Sequence, residues 1–258
     1  IGWRILFGIG FVLAILGVFV RLRVEDSPVF KQLQSRGQIV KSPISEVVRK
    51  YWKYILIGIF LLGVFNGSSY YINYSFSTVY ATTLAKEFSK PFVPYAVVQT
   101  GIFFTSLAGI FAAPFFGYLS DIFGRRPQML ASAILTIVLA VPYFSMLLSG
   151  NSALVISAVI MGGLFYYLLA GAITPIVLVE MFPPQVRYTG ISLTFQTAMA
   201  ALGGTTPFIL TYLVAATHNI YSPMYFLIGT GILVLAMAIL VGETKGRLYT
   251  GEEILKQQ

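Results

Sequence analysis

Charged residues are scarce in this chain, and those able to do chemistry lie between long apolar runs. In residues 117–127, GYLSDIFGRRP, Asp121 precedes Arg125 by four positions and Arg126 adds a second cation. That spacing brings a carboxylate and a guanidinium within reach of a charge-assisted hydrogen bond. Gly117 and Gly124 permit close backbone approach and positive φ in a tight reversal. The plainest reading is a polar turn between two membrane helices whose arginines help to fix topology. Neutral polar groups inside the apolar runs are the other candidate chemistry. Asn66, Tyr70, Asn73, Tyr74 and Ser77 recur at helical spacing, which places amides and phenols on one stripe. In hydrocarbon such groups must face protein or water. The stripe therefore predicts either the wall of a solute cavity or interhelical hydrogen bonding. Thr189, Ser192, Gln196, Gly203 and Thr206 form a second stripe, and Tyr166, Tyr167, Thr174 and Gln99 on other runs can complete a wall. For this second set, packing and interhelical hydrogen bonds are the first reading.

The elements that position these residues follow from composition. With 57% hydrophobic and 10% charged residues, a soluble domain of 258 residues could not bury its apolar surface, so the chain reads as a multi-span membrane protein. A net charge of +8 raises the possibility of nucleic acid, but the positions of the charges argue for a membrane and against it. The absence of cysteine excludes disulfide and thiolate chemistry. The opening Ile-Gly-Trp-Arg runs into apolar sequence without a small-residue cleavage site, so no signal peptide is read. The chain is expected to begin partway through a larger protein. Apolar runs cover residues 5–20, 54–84, 93–119, 129–148, 153–179, 191–216 and 223–241. The second is too long for a straight span and should tilt or project. With the loop over residues 21–53 in the cytoplasm, alternation puts there all but Arg4, Lys86 and Lys90 of the 17 Lys and Arg residues. This predicts an outside N-terminus and a cytoplasmic C-terminus. Asp121, Arg125, Arg126, Glu180 and Arg187 then share the cytoplasmic face.

In the long loop, Pro28 and its neighbours break the first helix. Ser45 is placed to N-cap a short helix over residues 46–53, with Glu46 near its start and Arg49, Lys50 and Lys53 near its end. This basic segment carries Trp52 and is expected at the lipid surface. Gly109, Ala113 and Gly117 repeat every four residues and predict a flat face for helix contact. Pro114, Pro142, Pro175 and Pro207 predict kinks, with residues 203–207 (GGTTP) the softest point.

Taken in order, Gly117, Asp121, Gly124, Arg125 and Arg126 resemble the loop signature of the major facilitator superfamily, found between the second and third helices of each six-helix half. Ile122 stands where that family usually has a basic residue. Glu180, Phe182, Pro183, Arg187 and Gly190 are similar to the loop between its tenth and eleventh helices. Residues 242–246, GETKG, are similar to the tail after the twelfth, with Gly242 replacing a proline. The Gly-Trp-Arg opening, residues 25–30 and residues 43–53 resemble the metabolite:proton symporter family within that superfamily. The resemblance implies an all-α membrane protein with a major facilitator-type helical bundle and seven transmembrane helices, the C-terminal six-helix half plus the preceding helix. Residues 1–23 would be helix six, 24–53 a cytoplasmic central loop with a short amphipathic helix, 54–242 the six-helix bundle and 243–258 a cytoplasmic tail.

The same resemblance implies a secondary transporter, not an enzyme. It would move a small polar metabolite, such as an organic acid, amino acid or betaine, across the plasma membrane by alternating access. The proton would be the coupling ion, with no cofactor and no metal. Its partners would be the solute, the lipid bilayer and an N-terminal transmembrane half on the same or a separate chain. A sugar porter is the alternative within the superfamily, since the Glu-Thr-Lys-Gly tail is shared. By resemblance, Asp121, Arg125, Arg126, Glu180 and Arg187 would form an ion-pair latch between halves; a purely topological role is the alternative.

The residues do not themselves argue for proton coupling. Every acidic and basic residue falls outside or at the edge of the apolar runs, whereas a proton relay is usually marked by a buried ionisable group. In the resembled family that acid often sits in the first six helices. His218, the one histidine, reads as an ordinary loop residue. A seven-helix receptor also fits the length and topology; a retinal pump does not, because residues 223–241 contain no lysine for a Schiff base. A half-transporter fragment without activity of its own is a third reading.

Overall fold

Runs this poor in polar residues leave the backbone one partner in hydrocarbon, the backbone of its own helix. The computed structural model describes residues 2–23, 28–35, 37, 40, 42–164 and 169–246, and among these there is no strand. Two compact units are present, residues 1–41 and 42–258. The first contains α1 (Gly2–Arg23), which carries the first apolar run, and α2 (Pro28–Ser35).

The second unit begins with α3 (Pro43–Lys50) and continues as α4 (Trp52–Glu87), α5 (Tyr95–Phe123) and α6 (Arg125–Leu147). It is completed by α7 (Ser152–Leu164), α8 (Leu169–Met181), α9 (Arg187–Thr217) and α10 (Ser222–Val241). Five of these, α4, α5, α6, α9 and α10, are each long and apolar enough to cross a membrane. Of the run over residues 153–179 the described parts are α7 and α8; residues 165–168 lie outside the described residues.

Local departures from the sequence reading have physical causes. α3 starts at Pro43 and ends before Tyr51, so Ser45 lies inside it instead of capping it. Proline at the first helical position needs no donor and presets φ, which outweighs a serine cap two residues on. α3 buries Val47 and leaves Ile44 and Val48 exposed, as a surface-lying helix would. α4 takes up its length by loosening: Phe60–Gly67, Ile72–Phe76 and Tyr80–Leu84 are π-helical. α9 is π-helical over Met199–Gly203 and turns at 204–205 before resuming at Thr206, where residues 203–207 predicted the softest point.

Residues 117–123 remain helical, and the reversal between α5 and α6 is made by Gly124 alone, at φ 95°. A Cβ added at Gly117 would meet nothing within 4 Å, so among the described residues no helix packs on that end of the predicted flat face. Close contacts fall on other glycines. A Cβ on Gly163 would lie 1.9 Å from Thr105 Cγ2, and one on Gly67 would lie 2.9 Å from the Gly203 Cα. At one end of the bundle Tyr80 packs edge-on against Phe144, with centroids 5.0 Å apart, and donates its hydroxyl hydrogen bond to the Ile220 carbonyl. His218 lies at that end too, capping α9 in the left-handed conformation.

Candidate functional site

Two constellations emerge. The first is ionic and sits where α5 meets α6. Helical spacing sets Asp121 one turn from Arg125, and their side chains pair at 2.7 Å. Arg125 is held on its other side by Glu180 from the last turn of α8, Nε to Oε1 at 3.3 Å. Glu180 in turn accepts a 2.6 Å hydrogen bond from the Thr244 hydroxyl, just beyond α10. Ser120 also accepts from Arg125. Arg125 and Glu180 are buried, whereas the Asp121 side chain is 65% exposed. One leg is therefore a desolvated pair, costly to break, and the other a solvated pair of small worth.

Glu243 completes this constellation by capping a helix. Its carboxylate accepts from the backbone N–H groups of Arg125 and Arg126 at 3.0 and 3.2 Å, the start of α6, and from those of Thr244 and Lys245. Orphan donors and the positive end of α6 are thus satisfied by the segment after α10. Gly124 is needed twice. Its φ of 95° suits glycine, and a Cβ there would lie 2.5 Å from Glu243 Oε2. Lys245 Nζ adds a hydrogen bond to the Ile122 carbonyl.

Burial pushes the Glu243 carboxyl up, but the N–H donors of Lys245, Arg125, Arg126 and Thr244 outweigh it and hold the group below the usual carboxylate range. A depressed pKa stabilises the folded state at pH above the ordinary value, and that stabilisation is lost as pH falls through the folded one. Protection of the Arg125 and Arg126 amides against hydrogen exchange, corrected for intrinsic rate, should be flat down to about pH 5. It should fall only below the ordinary carboxylate value of ~4.3.

The remaining members of the predicted ionic set stand apart. Arg126 contributes its backbone, while its side-chain Nε is buried without a partner. Arg187 donates Nε to the Phe182 carbonyl at 3.1 Å, inside its own loop. Gly117 takes part only through its carbonyl, which accepts from Ser120 Oγ at 2.6 Å.

The second constellation lies along α4. Asn73 is fully buried and accepts at 3.2 Å from the Tyr143 hydroxyl on α6, with its Nδ2 unpaired. It sits against Gly162 and Gly163 of α7. Ser77 is buried beside it and bonds the Asn73 carbonyl at 2.6 Å. Tyr70 and Tyr74 are half-buried and stack with centroids 4.8 Å apart. Gln99 donates from α5 to Thr78 Oγ1 at 3.2 Å, and Gln196 is exposed. The single predicted stripe has thus become two. Asn73 and Ser77 face the bundle interior, and Tyr70, Tyr74 and Thr78 lie on a more open side with Gln99. The division follows from the helical wheel: at about 100° per residue Asn73 and Ser77 lie at one edge of the arc and Tyr70, Tyr74 and Thr78 towards the other, and α6 and α7 cover only the first edge. The side chain of Asn66 and residues Tyr166 and Tyr167 lie outside the described residues.

At Thr206 of the second stripe α9 is tied to α4 through Ser68, a residue that no spacing in the sequence singled out. Ser68 Oγ and Thr206 Oγ1 are 3.0 Å apart, next to the Gly67–Gly203 approach. Both helices are π-helical at this point. Among the described residues no group of His, Asp or Glu could hold a metal ion.

Comparison with known proteins now places this architecture. The family model described as Major Facilitator Superfamily matches residues 1–205 and, in a second alignment, 68–253. The chain belongs to the major facilitator superfamily. It is 27% identical to the proline/betaine transporter of Escherichia coli (strain K12) over 260 residues, covering 97% of this chain and 50% of the relative. To the citrate-proton symporter of Klebsiella pneumoniae it is 29% identical over 227 residues, 88% of this chain and 49% of the relative. The glycine betaine/proline/ectoine/pipecolic acid transporter of Dickeya dadantii is 25% identical over 263 residues, with 97% and 50% covered. The chain spans about half the length of these curated relatives, and each of them is a transporter rather than an enzyme. No solved structure matches at a significant level. Family membership and the apolar helices make this a multi-pass membrane protein.

Proposed function

We propose that this chain forms the C-terminal half of a secondary active transporter that moves a small polar metabolite by alternating access. The observation that carries this reading is the match of nearly the whole chain to transporters named for betaines, proline and citrate. In it, α1 is the span before a six-helix half, residues 42–242 supply the other six, and α7 and α8 together count as one crossing. The Arg125–Glu180–Thr244 end faces the cytoplasm, in keeping with the distribution of Lys and Arg. The protein sits in the plasma membrane and takes protons as its coupling ion, with the proton-carrying group in the partner half.

The geometry supplies a division of labour. Rocking of one half against the other needs a rigid end and a releasable contact. The buried Arg125–Glu180 pair, with Thr244 and Glu243, makes α5, α6, α8 and the tail one body. Asp121, exposed and worth about 0.2–1 kcal/mol as a surface pair, is the group free to exchange partners with the other half during the cycle. The π-helical crossing of α4 and α9 at Gly67 and Gly203 is where these helices can change register. Tyr70, Tyr74 and Gln99 form the solute wall, and Asn73 is a structural tie.

This assignment separates two variants. In the intact transporter Tyr70→Phe should change the KM for betaine, proline or citrate uptake several-fold with normal amounts of inserted protein. Asn73→Ala should lower folded protein and maximal uptake together, leaving KM unchanged. The opposite pattern would exchange the two roles.

A further inference from the structure

Between α4, α9 and α10 lies a crevice of about 350 Å³ that the transport reading does not use, lined by Phe60, Val64, Ser68, Leu202, Phe226 and Leu233 among others. Its polar members have spent their hydrogen bonds. The Ser68 hydroxyl is engaged by the Gly63 carbonyl and Thr206 Oγ1, and Thr230 bonds the Leu227 carbonyl at 2.7 Å. What the crevice offers an occupant is hydrocarbon alone, and an apolar cavity of this kind excludes water. It opens sideways, since Phe60 and Leu233 at its rim are exposed. Gly229 is exposed too, and a Cβ there would meet nothing within 4 Å.

A charge stands at one end of this wall. Lys53 precedes Phe60 by seven residues, two turns of helix, so it lies on the same face about 10 Å along the axis. Lys53 is exposed, with Nζ 5.8 Å from the centroid of the exposed Trp52 ring. Trp beside Lys at the first turn of a membrane helix marks the headgroup level. Just before them, α3 shows Ile44 and Val48 to the outside, alongside Arg49. Going along α4 from its start, one therefore meets a cation at headgroup depth and then an apolar slot at acyl-chain depth.

We propose that the crevice is a phospholipid site: an anionic headgroup rests on Lys53 and Trp52, and one acyl chain of that lipid fills the slot between α4, α9 and α10. A lipid held there touches the α4–α9 crossing at Ser68 and Leu202, so its occupancy bears on how freely that crossing moves.

The test uses the full protein in nanodiscs with Trp52 kept, every other tryptophan replaced by phenylalanine, and Phe60→Trp as reporter, read as the difference from the same protein with Phe60. Acyl-brominated phosphatidylglycerol and phosphatidylcholine serve as quenchers. The expected result is quenching that saturates at low mole fraction, with at least threefold preference for phosphatidylglycerol. Lys53→Gln should erase the preference and leave the quenching. Gly229→Phe, whose Cβ has open space and whose ring is expected to occupy the slot, should remove the saturable phase. Quenching proportional to mole fraction without headgroup preference would mean ordinary boundary lipid and would overturn the proposal. So would the absence of quenching, which would show the crevice covered by protein, or a preference that survives Lys53→Gln.

Discussion

Glu180→Ala is expected to cost about 3–5 kcal/mol, because it leaves the guanidinium of Arg125 buried with its inner partner gone. Arg125 and Glu180 are nearly inaccessible and face each other at 3.3 Å, and Thr244 depends on the same carboxylate. The loss should appear as a large drop in monodisperse protein after solubilisation and in the midpoint of thermal unfolding. Asp121→Asn breaks an ion pair to the same guanidinium but at an exposed carboxylate, so it should cost no more than ~1 kcal/mol. Its effect should fall on turnover instead. Equal destabilisation by the two variants would show that the buried and exposed legs are not distinct.

The second large effect belongs to Gly67→Val. The Cβ alone would lie 2.9 Å from the Gly203 Cα and 3.3 Å from its nitrogen. These are backbone atoms that cannot rotate away, so α4 and α9 must separate. The expected cost is about 1–3 kcal/mol for overpacking, together with loss of the 3.0 Å Ser68–Thr206 contact. Since the crossing is also the proposed point of movement, transport per folded molecule should fall at least tenfold. Gly229→Ala is the control: its methyl has open space, and replacing a helical glycine should stabilise by roughly 0.5–1 kcal/mol. Full transport by Gly67→Val at normal stability would remove the crossing from the mechanism.

What the sequence revealed and what it hid divide along one physical line. Local spacing was legible: Asp121 and Arg125 at i, i+4 pair in the structure, and residues 203–207 mark a real interruption of α9. Glu180 joined them through its loop pattern, not its spacing. Contacts closed by distant segments left no periodic trace. Glu243 caps a helix that begins 118 positions earlier, and the reason for Gly124 is only half visible without that carboxylate. A polar stripe read at a period of 3.6 residues spans an arc, and the neighbouring helices decide which edge is buried: α6 and α7 cover Asn73 and leave Tyr70 and Tyr74 half-buried. Gly117 ends a small-residue spacing that began at Gly109 and Ala113, yet a Cβ there meets nothing, whereas Gly67, Gly163 and Gly203 lie at close contacts. Small residues permit close approach; the neighbouring helix decides where it happens.

The central claim is tested most directly by uptake into proteoliposomes of labelled betaine, proline and citrate under an imposed inward proton gradient. Two preparations should be compared, this chain alone and this chain with an N-terminal half of about five further helices. Saturable, gradient-dependent uptake of one of these solutes is expected only with the second. Uptake by the chain alone would contradict the account, as would none from the correctly inserted longer protein.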